Sequence, residues 1–541
     1  MQMKMRLALT LAILNACACG NRESRLLDKV DVKGIAPLGG DLAYVQSSGV
    51  VQRLNVMGVN PQPKTTKISI TSNPRIVIRR PGVEELLVVS DGRSDQYGQV
   101  IEPPALTVLP DQNSKREYPL VDPGQQMKLS DDGKFAVLFN DPSYVDTTSL
   151  LTNPGQVAII GLDKDKYPPT DIIHSLDTVG GPPFAVWFLT LNVGTQVGRP
   201  FALFAFPQGI SLVDLDSPDD KEPKLDLTSW LPSGGMDKTS GFGVAFDQGS
   251  AEIYLKNSHS SDIKVLSVAP GIPTTDGGSG NTVNISVRSL TVSNSTAPGA
   301  FDVYSLASGS RLLATVGNSV ASVTTDSDTV TSVALSTPAN QILRFDAKAP
   351  KDPNSGQRAL LYQTDPTGGS LQSSVTFVNL EDLEIGKAAA LETVDFGAKI
   401  SSVVQLPNLP LQLLVILSGG GIDVLDLEKR HWSPIDSKVP ITLTAATSNR
   451  LWVGSAGDNR IGYVDLSNSD PTDPTSAVML TIKSTQLDSP VQQMFQMNQS
   501  SNSRVIVTHD QVGGAVTWVD ANNPERSAAH KLEGFLLSDL L

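Results

Sequence analysis

An all-β fold built from repeated four-stranded units is predicted by three observations. Turn-forming residues are abundant and scattered, with 44 Gly and 36 Pro in 541 residues. No stretch of helical period is long enough to stand out. One phrase recurs along the chain: a short apolar strand, a polar turn, and a second strand that often ends in an acid. Apolar runs of strand length bounded by turn residues are the pattern of β-hairpins.

Ten copies can be counted. They begin at Leu42 (LAYVQSSGVVQRLNV), Glu85 (ELLVVSDG, a weaker copy paired with ALTVL from Ala105), Lys134, Phe201, Ala251, Arg311, Arg358, Gln412, Arg450 and Arg504. Their starts mostly lie about 40 to 65 residues apart, the spacing of propeller blades with loop insertions rather than of a short solenoid. In the copy at Arg450, Leu451 and Val453 point one way while Trp452 and Gly454 point the other. Apolar groups on both faces are expected of a strand held between two neighbouring sheets. Val213-Asp214, Leu425-Asp426, Val464-Asp465 and Val519-Asp520 close several copies, and a short acid there can cap the following turn through its side-chain oxygen. Further strands flank some copies, upstream in 125–133 (QQMKLSDDG) and downstream in 388–395 (AAALETVD). Four strands per unit make a β-propeller of four-stranded antiparallel blades.

The phrase PGQQMKLSDDGKFAVLFNDPS from Pro123, and the Val-Asp-Leu endings, resemble YVTN-type (WD40-like) bacterial β-propellers. The resemblance implies a ring, and a usual single ring has seven or eight blades. Ten hairpins therefore leave two readings. Two or three are insertions or mis-paired segments, or the chain makes a larger ring or two smaller ones, with Asp276–Asn281 (DGGSGN) as a seam. Each blade leaves an apolar face that only a neighbour can cover, so the ring must close. The apolar alternation in 30–35 is expected to pair with the last unit, 505–519.

The first residues carry a different signal. Lys4 and Arg6 precede the apolar run 7–14, which ends in Asn15-Ala16-Cys17-Ala18-Cys19. A basic head, a short apolar core and small residues before a cut define a secretory signal peptide. The run is too short to span a hydrocarbon core, which needs roughly 20 residues. The tandem cysteines resemble the lipobox of bacterial lipoproteins. That resemblance implies lipidation of Cys19 (or Cys17), residues 1–18 as signal peptide, 19–28 as a tether and 29–541 as the propeller. Neither cysteine is followed by Asp, which by the same resemblance implies the outer membrane, on its periplasmic or surface face.

Composition narrows the function classes. Both cysteines fall in the signal region, so the body has no disulfide, thiolate metal site or cysteine nucleophile. The formal net charge of −14 argues against nucleic acid and against attraction to anionic lipid. With 40% hydrophobic and 18% charged residues, the chain is not a disordered one.

Candidate chemistry is sparse. His174, His259, His431, His509 and His530 show no spacing that places two metal ligands on one face. His509-Asp510 reads as a surface histidine beside a turn aspartate. Asp163-Lys164-Asp165 opens like a calcium loop, but Tyr167 and Pro168 stand where an oxygen ligand and a Gly are required. The turn of Asp216, Asp219 and Asp220 could hold calcium weakly, and Asp470–Asp473 (DPTD) reads as turn chemistry. Ser130-Asp131-Asp132-Gly133 reads as a tight hairpin turn, and Gly419–Gly421 as another. Trp452 and Trp518 read as packing between blades. No catalytic residue, metal or cofactor is expected.

The function expected is a non-enzymatic binding or scaffold module for an envelope protein or polymer, attached to the membrane through its N-terminal lipid. The alternative is a propeller enzyme of lactonase, quinone-dependent dehydrogenase or glycan lyase type, with its site at the central channel. A role in outer-membrane protein assembly is a third reading. Replacing both Cys17 and Cys19 is expected to release the body into the soluble periplasmic fraction. Sedimentation of that variant with salt-washed membranes would show that something other than the lipid holds it.

Overall fold

The computed structural model describes residues 30–537, except 59–64, 141–154, 164–172, 272–282, 348–355, 365–371, 467–479, 525–529 and gaps of one to four residues. Ten sheets follow one another along these residues, nine of four strands and the eighth of five, each with its first four strands in chain order. The eighth gains Leu480–Thr481, which lies within the span of the ninth and pairs parallel with His431–Asp436. They span 32–69, 74–119, 126–175, 185–226, 243–291, 301–334, 341–395, 400–436, 443–486 and 491–533, numbered here as blades 1 to 10. The ten hairpins legible in the sequence supply the second and third strands of the ten blades. The expectation of seven or eight blades is corrected to about ten, and none of the copies is an insertion.

The period-two pattern explains how the blades adhere. The second strand of blade 2, Glu85–Ser90, is buried throughout. Its Leu86 and Val88 enter an apolar cluster shared with blade 1, while Leu87 and Val89 enter one shared with blade 3. Leu451 and Val453 likewise pack towards blade 8, and Trp452 towards blade 10. Ten such clusters occupy the ten junctions between consecutive blades. Burying one such aliphatic side chain stabilises the fold by about 1.5–3 kcal/mol.

The tenth junction closes the ring. Leu42, Tyr44 and Leu54 of blade 1 pack with Met497, Ile506, Val516 and Trp518 of blade 10 and with Phe535 beyond it. The Tyr44 and Phe535 rings meet edge-to-face with centroids 4.9 Å apart, and Gln52 Nε2 donates to the Phe535 carbonyl. A single ring follows, because a pair of rings would need two closing junctions. DGGSGN lies outside the described residues. It falls between Asp262–Pro270 and Val283–Thr291, which pair with each other inside blade 5, so it marks no seam. The expected pairing of the chain start with the last unit is also corrected. Val32–Leu38 pairs with Asp41–Gln46 of its own blade, and Val30, Val32 and Ile35 reach blade 10 through side chains.

Four antiparallel strands return the chain to the end of the ring where the blade began. Second-to-third loops, interblade linkers and the flanks of both termini therefore share one face, the linker face. First-to-second and third-to-fourth turns share the other, the hairpin face. On the hairpin face, acids at the ends of third strands cap their turns as the sequence implied. Asp214 accepts from Asp216 N at 3.0 Å, Asp426 from Glu428 N and Lys429 N at 3.0 and 2.9 Å, and Asp520 from Asn522 N at 2.8 Å.

The same face carries arginines that reach the next blade. Arg450 donates to the Ala521 and Asn522 carbonyls at 2.9 and 2.8 Å. Arg504 donates to those of Val56 and Gly58 across the closing junction. Arg53, Arg80 and Arg288 make equivalent bonds to Asp111, Leu162 and Thr325. Arg311 instead pairs with Glu384, on the short helix α1 (Leu380–Glu384) of blade 7. Each arginine satisfies groups in the turn after a third strand, where the ladder ends. Arg504→Ala is expected to lower the stability of the ring by about 1–3 kcal/mol, the usual cost of leaving charged hydrogen bonds unmade. An unchanged urea midpoint would show that the clasp contributes nothing.

Candidate functional site

The residues singled out from sequence are dispersed by the fold. His174 lies in blade 3, His259 in blade 5, His431 in blade 8, and His509 and His530 in blade 10. Among the described residues, no three His, Cys, Asp or Glu side chains converge as metal ligands would. Asp216 sits exposed in a capped turn, and Asp219 and Asp220 lie outside the described residues. So do Cys17, Cys19, the proposed signal and tether, most of the Asp163 segment, and Asp470–Asp473.

The reading of His509 as a surface residue is corrected. It is buried at the end of the second strand of blade 10. Its Nδ1 lies 2.9 Å from the Pro490 carbonyl and its Nε2 2.8 Å from Thr517 Oγ1. Burial holds its pKa below the ordinary histidine value. With both ring nitrogens engaged, it is a structural crosslink. His530 stacks on Trp518 at 5.6 Å. The Ser130 turn is the tight hairpin expected: Ser130 Oγ donates to Asp132 Oδ1 at 2.8 Å, and Lys134 N donates to the same oxygen at 3.0 Å.

Two features were not legible in the sequence. One is a recess of about 300 Å³ on the hairpin face of blade 7, lined by Arg344, Phe345, Asp346, Gln357, Arg358 and Leu380. Strand register makes it: Phe345 pairs with Arg358 and Asp346 with Gln357, which brings four polar side chains to one hairpin end. Arg344 Nε donates to Asp302 of blade 6, and Phe345 packs edge-to-face on Phe377. Below the recess, Asn379 Oδ1 caps α1 through Glu381 N at 3.2 Å and Asp382 N at 3.4 Å. Its lining combines two guanidinium groups, a carboxylate and an amide, a donor and acceptor set suited to polar or charged surface groups.

The other is Asp423, on the third strand of blade 8 between Val415 and Pro434. It is 2% exposed, and its Oδ2 has no hydrogen-bond partner among the described residues. Like Leu425, it faces the apolar junction with blade 7.

Neither a protein family nor a curated protein matches the chain. Solved structures give slight likenesses. One is "Dihydro-heme d1 dehydrogenase NirN in complex with DHE", with TM-score 0.35 and 12% identity over 71% of this chain and 74% of that one. Another is BBS1N in complex with ARL6DN, with TM-score 0.30 and 10% identity over 63% and 90%. A third is apo AztD from Citrobacter koseri, with TM-score 0.30 and 12% identity over 73% and 94%. The fold rests on the sheet topology.

Burial pushes the Asp423 carboxyl up to about 6. A carboxyl whose folded pKa exceeds its unfolded one penalises the fold when ionised. The penalty is absent below about pH 4 and complete once the pH passes about 6. Stability is therefore expected to fall across that window. Asp423→Asn should raise it at pH 8 by on the order of 1–3 kcal/mol and change it little at pH 4. Equal shifts in urea midpoint at both pH values would exclude this origin.

Proposed function

We propose that this chain is a lipid-anchored β-propeller of the cell envelope, held at the outer membrane through Cys19 (or Cys17). In this reading it acts as a non-enzymatic binding or scaffold module for an envelope protein or polymer. The observation that carries it is the form of the blade 7 recess. The recess is lined mainly by polar side chains, it lies at loop ends on one face of a closed ring, and its exposed Arg344 and Asp346 can meet a polar surface. Loop ends on a rigid scaffold are where binding groups reside. The ten apolar junctions support the same reading, because a rigid frame keeps such a surface preformed and lowers the ordering cost of association. Fold alone assigns no activity.

Chemical crosslinking in intact envelopes, followed by isolation of the chain, tests this. A discrete adduct is expected from the unaltered chain. It should be lost with Arg344→Glu and Asp346→Lys and retained with Val197→Lys, which lies on the same face at blade 4. Turnover of a lactone, a glycan or a quinone-coupled substrate by the purified chain, with no adduct formed, would favour the enzyme reading instead.

A further inference from the structure

We propose that the linker face at blades 1 and 2 rests on the bilayer itself, seating Tyr97, Val100, Ile101 and Val121 in its headgroup region. This rests on the membrane-anchor reading above. Blade 2 carries an extra hairpin, Arg93–Ser94 with Val100–Glu102, between its second and third strands. Asp95 Oδ1 accepts from Tyr97 N and Gln99 N, both at 2.8 Å, and Gly98 N donates to the Asp95 carbonyl at 3.1 Å. That turn holds Tyr97 out from the body, 82% exposed, with Val100 and Ile101 exposed behind it. The legs are pressed together at the base. Gly92 has φ +72°, and a Cβ there would lie 2.2 Å from the Glu102 carbonyl oxygen.

The hairpin is pinned, so its apolar side chains are presented rather than collapsed. Gly92 N donates to the Ser72 carbonyl, and Asn73 Nδ2 to the Gly92 carbonyl at 2.7 Å. Val121, 69% exposed, stands on the same face, in the linker that follows blade 2. Leu120 N bonds to the Pro104 carbonyl at 2.9 Å, and Arg75 ties Asp91 to the Gly124 carbonyl.

The route of the chain argues for lipid as the occupant. Ser47 N donates to the Asp31 carbonyl, Asn73 N to that of Ser47, and Asp91 N to that of Asn73. The N-terminal flank of the ring and the base of the hairpin are therefore neighbours on one face. From Cys19 to Val30 an extended chain reaches about 36–40 Å, so a lipid on Cys19 keeps the bilayer surface within that distance of this face. A tyrosine with aliphatic neighbours suits the interface between headgroups and hydrocarbon. The acidic chain leaves apolar contact, on neutral headgroups, as the attraction.

The body has no cysteine, so single labels are unambiguous. The mature chain from Gly20, with an N-terminal hexahistidine in place of the lipid, is bound to phosphatidylcholine vesicles containing a nickel-chelating lipid. An environment-sensitive fluorophore is placed by Tyr97→Cys or by Val197→Cys, a site 84% exposed on the hairpin face. The expected result is a blue-shifted emission quenched by spin-labelled lipid at 97, with water-like emission at 197. Water-like emission at both sites on floated vesicles overturns this proposal alone. A shift at 97 that appears only when envelope protein is added points to a protein occupant and also overturns it. Recovery of the native full-length chain in the soluble fraction defeats the anchor, and the proposal with it.

Discussion

The meeting of blade 10 with blade 1 is the contact on which the remaining structure depends. Every blade has two apolar faces, and period-two alternation commits its strands to both. Along an open array the outer face of the first blade and that of the last would stand in water. Tyr44, Leu54, Trp518 and Phe535 remove that liability by covering each other. The first and last described strands each complete their own four-stranded sheet, so among the described residues closure relies on side-chain packing, on Gln52 and on Arg504, with no shared strand.

Closure by packing explains why the irregular spacing of the repeats is tolerated. Each junction is set by the buried stretches of the second and third strands, and the third strand runs five or six residues in every blade but blade 5, where it runs nine. The loops between them can vary, because they project from the faces and leave the junctions unaltered. Blade 2 accommodates an entire hairpin in this way, and blade 7 a helical turn. The capping aspartates and the clasping arginines lie on the hairpin face, where third strands end and backbone groups would otherwise lack partners. They tie each loop end to a fixed frame, and on such a frame a polar recess keeps its shape.

Much of this was legible in single residues. The aspartates after Val213, Leu425 and Val519 cap turns because a short carboxylate reaches the next amides whatever the surroundings. Trp452 and Trp518 pack between blades because a large ring in a two-faced strand has no other place. The arginines that open the copies at Arg311, Arg450 and Arg504 carried a readable signal, since the same residue recurs at the same place in the phrase. Their partners could not be read, because each lies on the next blade. His509 misled for a different reason: a histidine beside an aspartate at a strand end resembles a surface pair until Pro490, just ahead of the first strand of its own blade, and Thr517, on the third, engage both ring nitrogens. The lining of the blade 7 recess had no motif, because register alone brings 344–346 beside 357 and 358.

The sequence by itself determined the elements: ten hairpins, their inward and outward alternation, and the turns that end them. These follow from local rules, the two-residue period of a strand and the short reach of an Asx cap, which act within a few residues. The tertiary structure decided the number of blades in the ring, the partner of each apolar face, and the side chains gathered at each loop end. A hairpin looks the same in a ring of seven or of ten. The count is settled only by which two faces remain to be joined, and those faces belong to residues more than 400 positions apart.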